Sequence, residues 1–298
     1  MSDPYDRFDE MTGLVQPRTE IWWLVLGTVI TIALYVGGSV AFIVSAMFLL
    51  APAMPEVAAF ATGVGVGDTP VSVLLLLSTF GVLVLALILA VRLVHKRGPG
   101  TLFGISGRRG REFWYATGVS LAVTGVTMAV SLPFADLSPN LDPARWALFL
   151  IPALVLIAVQ TGAEELVFRG YLQQQLGARF NSFLVWGVLP SALFGVAHFE
   201  IASAGASAPF VALAAGVFGL VAADLTARTG SIMAAWGMHF ANNLVAILGV
   251  GVPGSITGLA LYLTDMPIDD TGAILPFLIL DMILTVFVWY LVRRALRV

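Results

Sequence analysis

Long uncharged runs separated by short polar breaks dominate the chain. A hydrocarbon core about 30 Å thick needs about 20 apolar residues as helix, and run after run meets that length. Ile21–Leu50 carries no charge and opens on Trp22 and Trp23, side chains that favour the membrane interface. Pro52, Pro55, Gly63, Gly65 and Gly67 break it. Val71–Val91 is a second clean run and Phe113–Phe134 a third, the latter again opening on aromatic residues, Trp114 and Tyr115. Pro139, Asn140 and Pro143 mark Ala135–Arg145 as irregular. A fourth helix is expected from Trp146 to about Leu176, then segments at Phe183–Phe199, Pro209–Leu225, Ile232–Val250 and Ala273–Val292.

Eight spans make the expected fold an all-α, polytopic membrane protein, and composition agrees. The 298 residues are 59% hydrophobic and 11% charged, with mean hydropathy +0.94. A soluble domain carries roughly 25% charged residues, so this chain lacks the material for a water-facing surface. Net charge −3 and the lack of any long basic block argue against a nucleic-acid partner. Without cysteine there is no disulfide, thiolate nucleophile or cysteine metal ligand.

Charge also orients the spans. Placing the N-terminus in the cytosol leaves Arg145 as the sole outside basic residue of fifteen, as the positive-inside bias demands. Both termini of a multi-pass cell-membrane protein are then cytosolic. Met1–Glu20, with Asp3, Asp6, Asp9 and Glu10, lacks the basic start and short apolar core of a signal peptide and reads as a cytosolic tail. Residues 21–298 form a single membrane domain, with no period of 20 to 50 residues to indicate a repeat array.

Against this background a few polar residues stand out. Thr161–Leu172, TGAEELVFRGYL, sets Glu164, Glu165 and Arg169 at the end of an apolar helix, where ionisable groups are costly. Positions four apart share a helix face, which pairs Glu165 with Arg169, Phe194 with His198, and His239 with Asn243. Taken alone, the first pair serves equally well as a surface ion pair, and each histidine as interhelical glue. Glu164 sits about 100° round the helix from Glu165, with no basic partner at helical spacing. His95 lies in the basic loop and is expected to be solvated. Asp224 and Asp281, read as lacking a basic or histidine neighbour at helical spacing, are expected to be structural acceptors.

E-E-x-x-x-R at Glu164, Glu165 and Arg169, F-x-x-x-H at Phe194 and His198, and H-x-x-x-N at His239 and Asn243 follow in that order. Together they resemble the signature motifs of the CPBP family of intramembrane proteases. That group contains the Rce1-type CAAX prenyl endopeptidase and bacterial Abi-type and bacteriocin-immunity proteins. The resemblance implies an endopeptidase core at about 146–250, with the eight helices enclosing a polar catalytic cavity. It implies Glu164 as general base, His198 holding and polarising the attacking water, and His239 with Asn243 binding the oxyanion. Glu165 and Arg169 would position the site, with Phe194 in support. Zinc on Glu164, His198 and His239, with one position left for water, is one option. The H-E-x-x-H spacing is absent, and a metal-free glutamate mechanism with no cofactor, in which Glu164 and His198 hold the water, is the other option. The implied partners are the lipid bilayer and a membrane-associated protein or peptide, lipidated or not. A proton-coupled transporter would be expected to show inverted repeats, which the sequence lacks. A non-catalytic immunity-type protein would retain the fold without the activity.

Span counting raises a geometric problem. It puts Glu164 at the cytosolic edge, while His198 lies sixteen residues beyond Ser182, about 24 Å by helical rise. His239 falls between, at about 12 Å. The three can meet only if the fourth helix reaches deeper, or if Pro190 kinks or shortens the fifth.

Overall fold

The computed structural model describes residues 5–15, 18–105 and 107–298; Asp3 of the acidic tail lies outside them. In chain order the helices are α1 (Asp6–Gly13), α2 (Ile21–Leu50), α3 (Pro55–Ala61), α4 (Pro70–Val94) and α5 (Arg109–Ser131). Next comes α6 (Pro143–Val167), which continues through a π-helical turn, Phe168–Gln173, into α7 (Gln174–Gly177). Then follow α8 (Leu189–Ala197), α9 (Ile201–Ala204), α10 (Ala208–Thr229), α11 (Met233–Leu244) and α12 (Thr271–Leu296).

Local chemistry sets these boundaries. Thr69 and Ser72 form a capping box at the start of α4, with Pro70 in the first turn. Asp142 accepts from the backbone N–H groups of Ala144 and Arg145 beside Pro143, and Asp270 caps α12 in the same way. Gly230, at φ +67°, ends α10 in the left-handed region.

The protein is a polytopic, all-α membrane protein. Among the described residues, six helical runs are long and apolar enough to cross a membrane: Ile21–Leu50, Pro70–Val94, Arg109–Phe134, Pro143–Gly177, Ile201–Thr229 and Thr271–Leu296. The fifth and seventh expected spans are shorter. The fifth is Leu184–Ala197, and the seventh is α11 followed by a π-helical turn, Val245–Gly249. Both are packed among other helices, α8 on α10 and α11 between α5 and α6. Protein neighbours allow such a crossing to end in irregular backbone at membrane depth.

The N-terminal segment and α12 meet at one end of the bundle, where Asp224 accepts from Tyr5 Oη at 2.9 Å and from Trp289 Nε1 at 2.8 Å. That end also carries the arginine-rich segments. The opposite end is closed by a small sheet where only loops are expected: β1 (Leu137–Pro139), β2 (Val250–Gly251) and β3 (Tyr262–Thr264), in the order β1-β3-β2. β1 pairs antiparallel with β3, Leu137 opposite Thr264, and β2 pairs parallel with it, Val250 opposite Tyr262.

Two expectations need correction at the basic end, those for His95 and Asp224. There α1 also packs on the bundle, burying Phe8 and Met11, with Val15 just beyond it. Its charges occupy one face and its apolar residues dock against Trp186 and the end of α10. His95 is buried, with Nε2 2.8 Å from Tyr171 Oη and Nδ1 2.7 Å from Gln175 Nε2. Asp224 does have a basic neighbour at helical spacing, since Arg228, four residues on, donates Nε–H to both its oxygens at 2.9 Å.

Candidate active site

α6 supplies the two glutamates, and it reaches as deep as the site requires. Its helical run continues to Gly177, thirteen residues past Glu164, or about 20 Å of rise. The fifth span is short, and His198 stands at its C-terminus, where the backbone leaves the helix at φ −100°, ψ 5°. Both conditions for convergence are therefore met. A π-helical turn adjoins every motif: Phe168–Gln173 contains Arg169, Leu184–Val188 precedes Phe194, and Val245–Gly249 follows Asn243. Such turns widen a helix locally and recur at functional sites.

His239 lies between the two glutamates. Its Nδ1 is 2.8 Å from Glu165 Oε1, and its Nε2 is 3.4 Å from Glu164 Oε2. A carboxylate only accepts, so Nδ1–H donates to Glu165 and fixes the ring. The second oxygen of Glu165 faces Arg169 Nε at 3.3 Å. Glu165 is fully buried and Arg169 is 1% exposed, so their mutual attraction acts without water. Arg169 also donates Nη2–H to the Gly219 carbonyl and lies 4.8 Å from the centre of the Phe194 ring. The brace expected of Glu165 and Arg169 thus extends to a third group, His239.

Glu164 is held differently. Its side chain is 13% exposed, and its buried Oε2 has no hydrogen-bond partner among the described residues. Oε2 of Glu165 likewise lacks a hydrogen bond, but it faces the Arg169 guanidinium at 3.3 Å. Oε2 of Glu164 lies 3.4 Å from Nε2 of His239, and no hydrogen bond to His198 is found among the described residues. His198 is half-buried, and its Nδ1–H donates to the Phe194 carbonyl at 2.8 Å. That bond leaves Nε2 of the neutral ring with a lone pair. The Phe194 ring lies between the two imidazoles, 4.5 Å from His198 and 5.9 Å from His239.

Asn243, one turn beyond His239, donates Nδ2–H to Gln160 Oε1 at 2.7 Å. The antiparallel helices α6 and α11 therefore form two rungs, Glu164/Glu165–His239 and Gln160–Asn243. Sequence reasoning missed Gln160, although a lone amide four residues before Glu164 in an apolar run was a visible signal. It also missed Phe218, whose ring lies 4.8 Å from His239 and which nothing in an apolar run distinguishes.

Among the described residues no three histidine, cysteine or carboxylate side chains are grouped to hold a metal ion. Nδ1 of His239 is held by Glu165 and Nδ1 of His198 by the Phe194 carbonyl, which leaves the Nε2 side of each ring facing the site. A cavity of about 440 Å³ is lined by Phe134, Asp136 and Asp265 at the sheet end, and another of about 380 Å³ lies between α8 and α10. Neither contains the cluster.

Fold and site together define a class: a multi-pass helical membrane protein with a buried carboxylate–imidazole cluster where three apolar helices converge. Residues 145–245 match the family of type II CAAX prenyl endopeptidases, Rce1-like. The resemblance carried by the three motifs holds over that segment. The chain is also 34% identical over 117 residues to the uncharacterized protein YyaK of Bacillus subtilis (strain 168). That similarity covers 39% of this chain and 39% of the relative. No solved structure matches the chain.

Proposed function

We propose that the chain is an intramembrane endopeptidase that hydrolyses a peptide bond of a membrane-associated protein or peptide by a glutamate-dependent mechanism. The observation that carries this reading is the asymmetry of the two glutamates. Glu165 is fully buried with one oxygen on His239 and the other facing Arg169, whereas Glu164 is 13% exposed and makes a single longer ionic contact, 3.4 Å to Nε2 of the same imidazole. The Rce1-like match of residues 145–245 supports the reaction class.

In this reading Glu164 removes a proton from a water that also donates to Nε2 of His198. The resulting hydroxide attacks the amide carbonyl carbon, and the carbonyl electron pair moves to oxygen. Asn243 Nδ2–H and His239 stabilise that oxyanion. Glu164 passes its proton to the amide nitrogen, the C–N bond breaks, and the carboxylic acid and free amine leave. Glu165 and Arg169 keep His239 in register. The arginine-rich end faces the cytosol.

The test is cleavage of a hydrophobic reporter peptide, with and without a lipid chain, by the purified protein. Glu164→Ala, His198→Ala and His239→Ala are compared with wild type. Loss of turnover in Glu164→Ala, with helical content and melting retained, is the expected result, and near-wild-type turnover overturns the general-base role. A strong chelator is expected to leave the rate unchanged; inhibition reversed by zinc overturns the metal-free mechanism.

A further inference from the structure

Gln160 takes no part in the three motifs, yet it is the residue that contacts Asn243. It lies one turn before Glu164 on α6, so the two share a face. It is 6% exposed, and its Oε1 accepts the 2.7 Å bond from Asn243 Nδ2. A carboxamide presents donors on one edge and an acceptor on the other, and a rotation of 180° exchanges them at almost no steric cost. In an apolar helix bundle, few other groups could decide which edge of Asn243 faces the reacting carbonyl. In the structure Oε1 of Gln160 engages one Nδ2–H of Asn243 and leaves the second on the same edge.

We infer that Gln160 is a positioning residue of the proposed protease, holding the Asn243 carboxamide so that its N–H, and not its oxygen, meets the oxyanion. The inference rests on the endopeptidase reading and extends it to a residue outside the motifs. Without the Gln160 acceptor, Asn243 populates the flipped state, which places a lone pair against developing negative charge. The loss then falls on the transition state and not on substrate binding, so kcat drops while KM holds.

Three variants separate this role from packing. Gln160→Met keeps volume and removes the acceptor; kcat is expected to fall about 10-fold or more, with KM within twofold and melting close to wild type. Gln160→Glu keeps an acceptor for Asn243 but adds negative charge one turn from Glu164. It is expected to retain more activity at low pH, where the new carboxyl is protonated, than at high pH, a dependence that Gln160→Met does not share. Combining Gln160→Met with Asn243→Ala completes the cycle. If Gln160 acts through Asn243, it costs nothing further in the Asn243→Ala background.

An active wild type whose Gln160→Met variant keeps kcat within twofold overturns this inference alone. So does an equal loss in the wild-type and Asn243→Ala backgrounds, which would mark Gln160 as a packing residue. A wild type that cleaves no membrane-associated peptide overturns the protease reading, and this inference with it.

Discussion

The first and sixth spans are almost equally hydropathic and look interchangeable as sequence, but they live in different surroundings. Along the thirty residues of α2 the buried positions are Leu24, Gly27, Thr31 and Ala46, and Val25, Val29, Ile32 and Val36 are all more than half exposed. α10, at twenty-two residues, buries eleven, ten of them running almost without break from Phe218 to Thr229. Lipid tails are as apolar as leucine, so apolarity cannot mark which helix is central. Small and polar residues mark it instead. In α10 these are Gly219, whose carbonyl accepts from Arg169, Ala223, whose carbonyl accepts from Gln173, and Asp224, which gathers Tyr5, Arg228 and Trp289.

The sharpest way to break this contrast is to cut polar groups from the centre and apolar groups from the rim. Glu164→Ala is expected to reduce turnover by about 10² to 10⁴-fold, the range for a general base, without lowering the melting temperature by more than a few degrees. Val29→Ala on the lipid face should change neither activity nor melting. Arg169→Met is the matching experiment on stability. It leaves Glu165 buried without its guanidinium, and losing one partner of a buried pair costs about 3–5 kcal/mol. Adding Glu165→Leu should recover part of that melting loss and none of the activity, because His239 then loses its orienting carboxylate as well.

The same contrast explains which features could be read from sequence. The long apolar spans, the helical class and the three motifs were legible because lipid imposes length and makes charge conspicuous. The depth of Glu164 was not. Hydropathy ends a span at the first charges, whereas α6 continues another 13 residues because protein surrounds its polar end. Helical spacing predicted the Glu165–Arg169 pair, but the His239 bridge joins residues 74 apart and needs the packing of α6 on α11. The small sheet escaped notice because two or three residues per strand leave no alternation to detect.

Glycines sharpen the comparison with a single residue type. A Cβ on Gly162 would fall 2.6 Å from Cζ2 of Trp236, whose Nε1–H is already committed to the Ala158 carbonyl at 3.1 Å. A Cβ on Gly37 of α2 would meet nothing within 4 Å. Gly162→Ala is therefore expected to cost about 1–3 kcal/mol of stability. It should also lower activity, because moving Trp236 moves His239 three residues along α11. Gly37→Ala should be neutral or stabilising by up to about 1 kcal/mol, since alanine is the better helix former. Melting of the two variants in one detergent gives the difference directly. Equal effects would mean that α6 and α11 are not in the close contact described.

The smallest expected effect falls on the buried polar residue that sequence placed in solvent. His95 accepts from Gln175 at Nδ1 and donates from Nε2 to Tyr171 Oη, which itself donates to the Leu24 carbonyl. This neutral chain ties α2, the end of α4 and the α6–α7 run together, and every ring nitrogen in it is satisfied. Burial, and after it the charges of Arg97 and Arg18, push His95 down to about 4. The unfolded chain takes up that proton near pH 6.5. Between those values the unfolded state binds a proton that the folded state refuses, so stability falls as pH is lowered. The contribution is whole above about pH 6.5, is reduced by about 1 kcal/mol at pH 5.5, and is fully lost below about pH 4. Melting of wild type and His95→Gln from pH 7.5 to 4.5 is the measurement, with the wild type expected to show the steeper decline. Parallel slopes would mean that the ring titrates in water, as a loop residue would, and that the pin at the end of α4 does not hold.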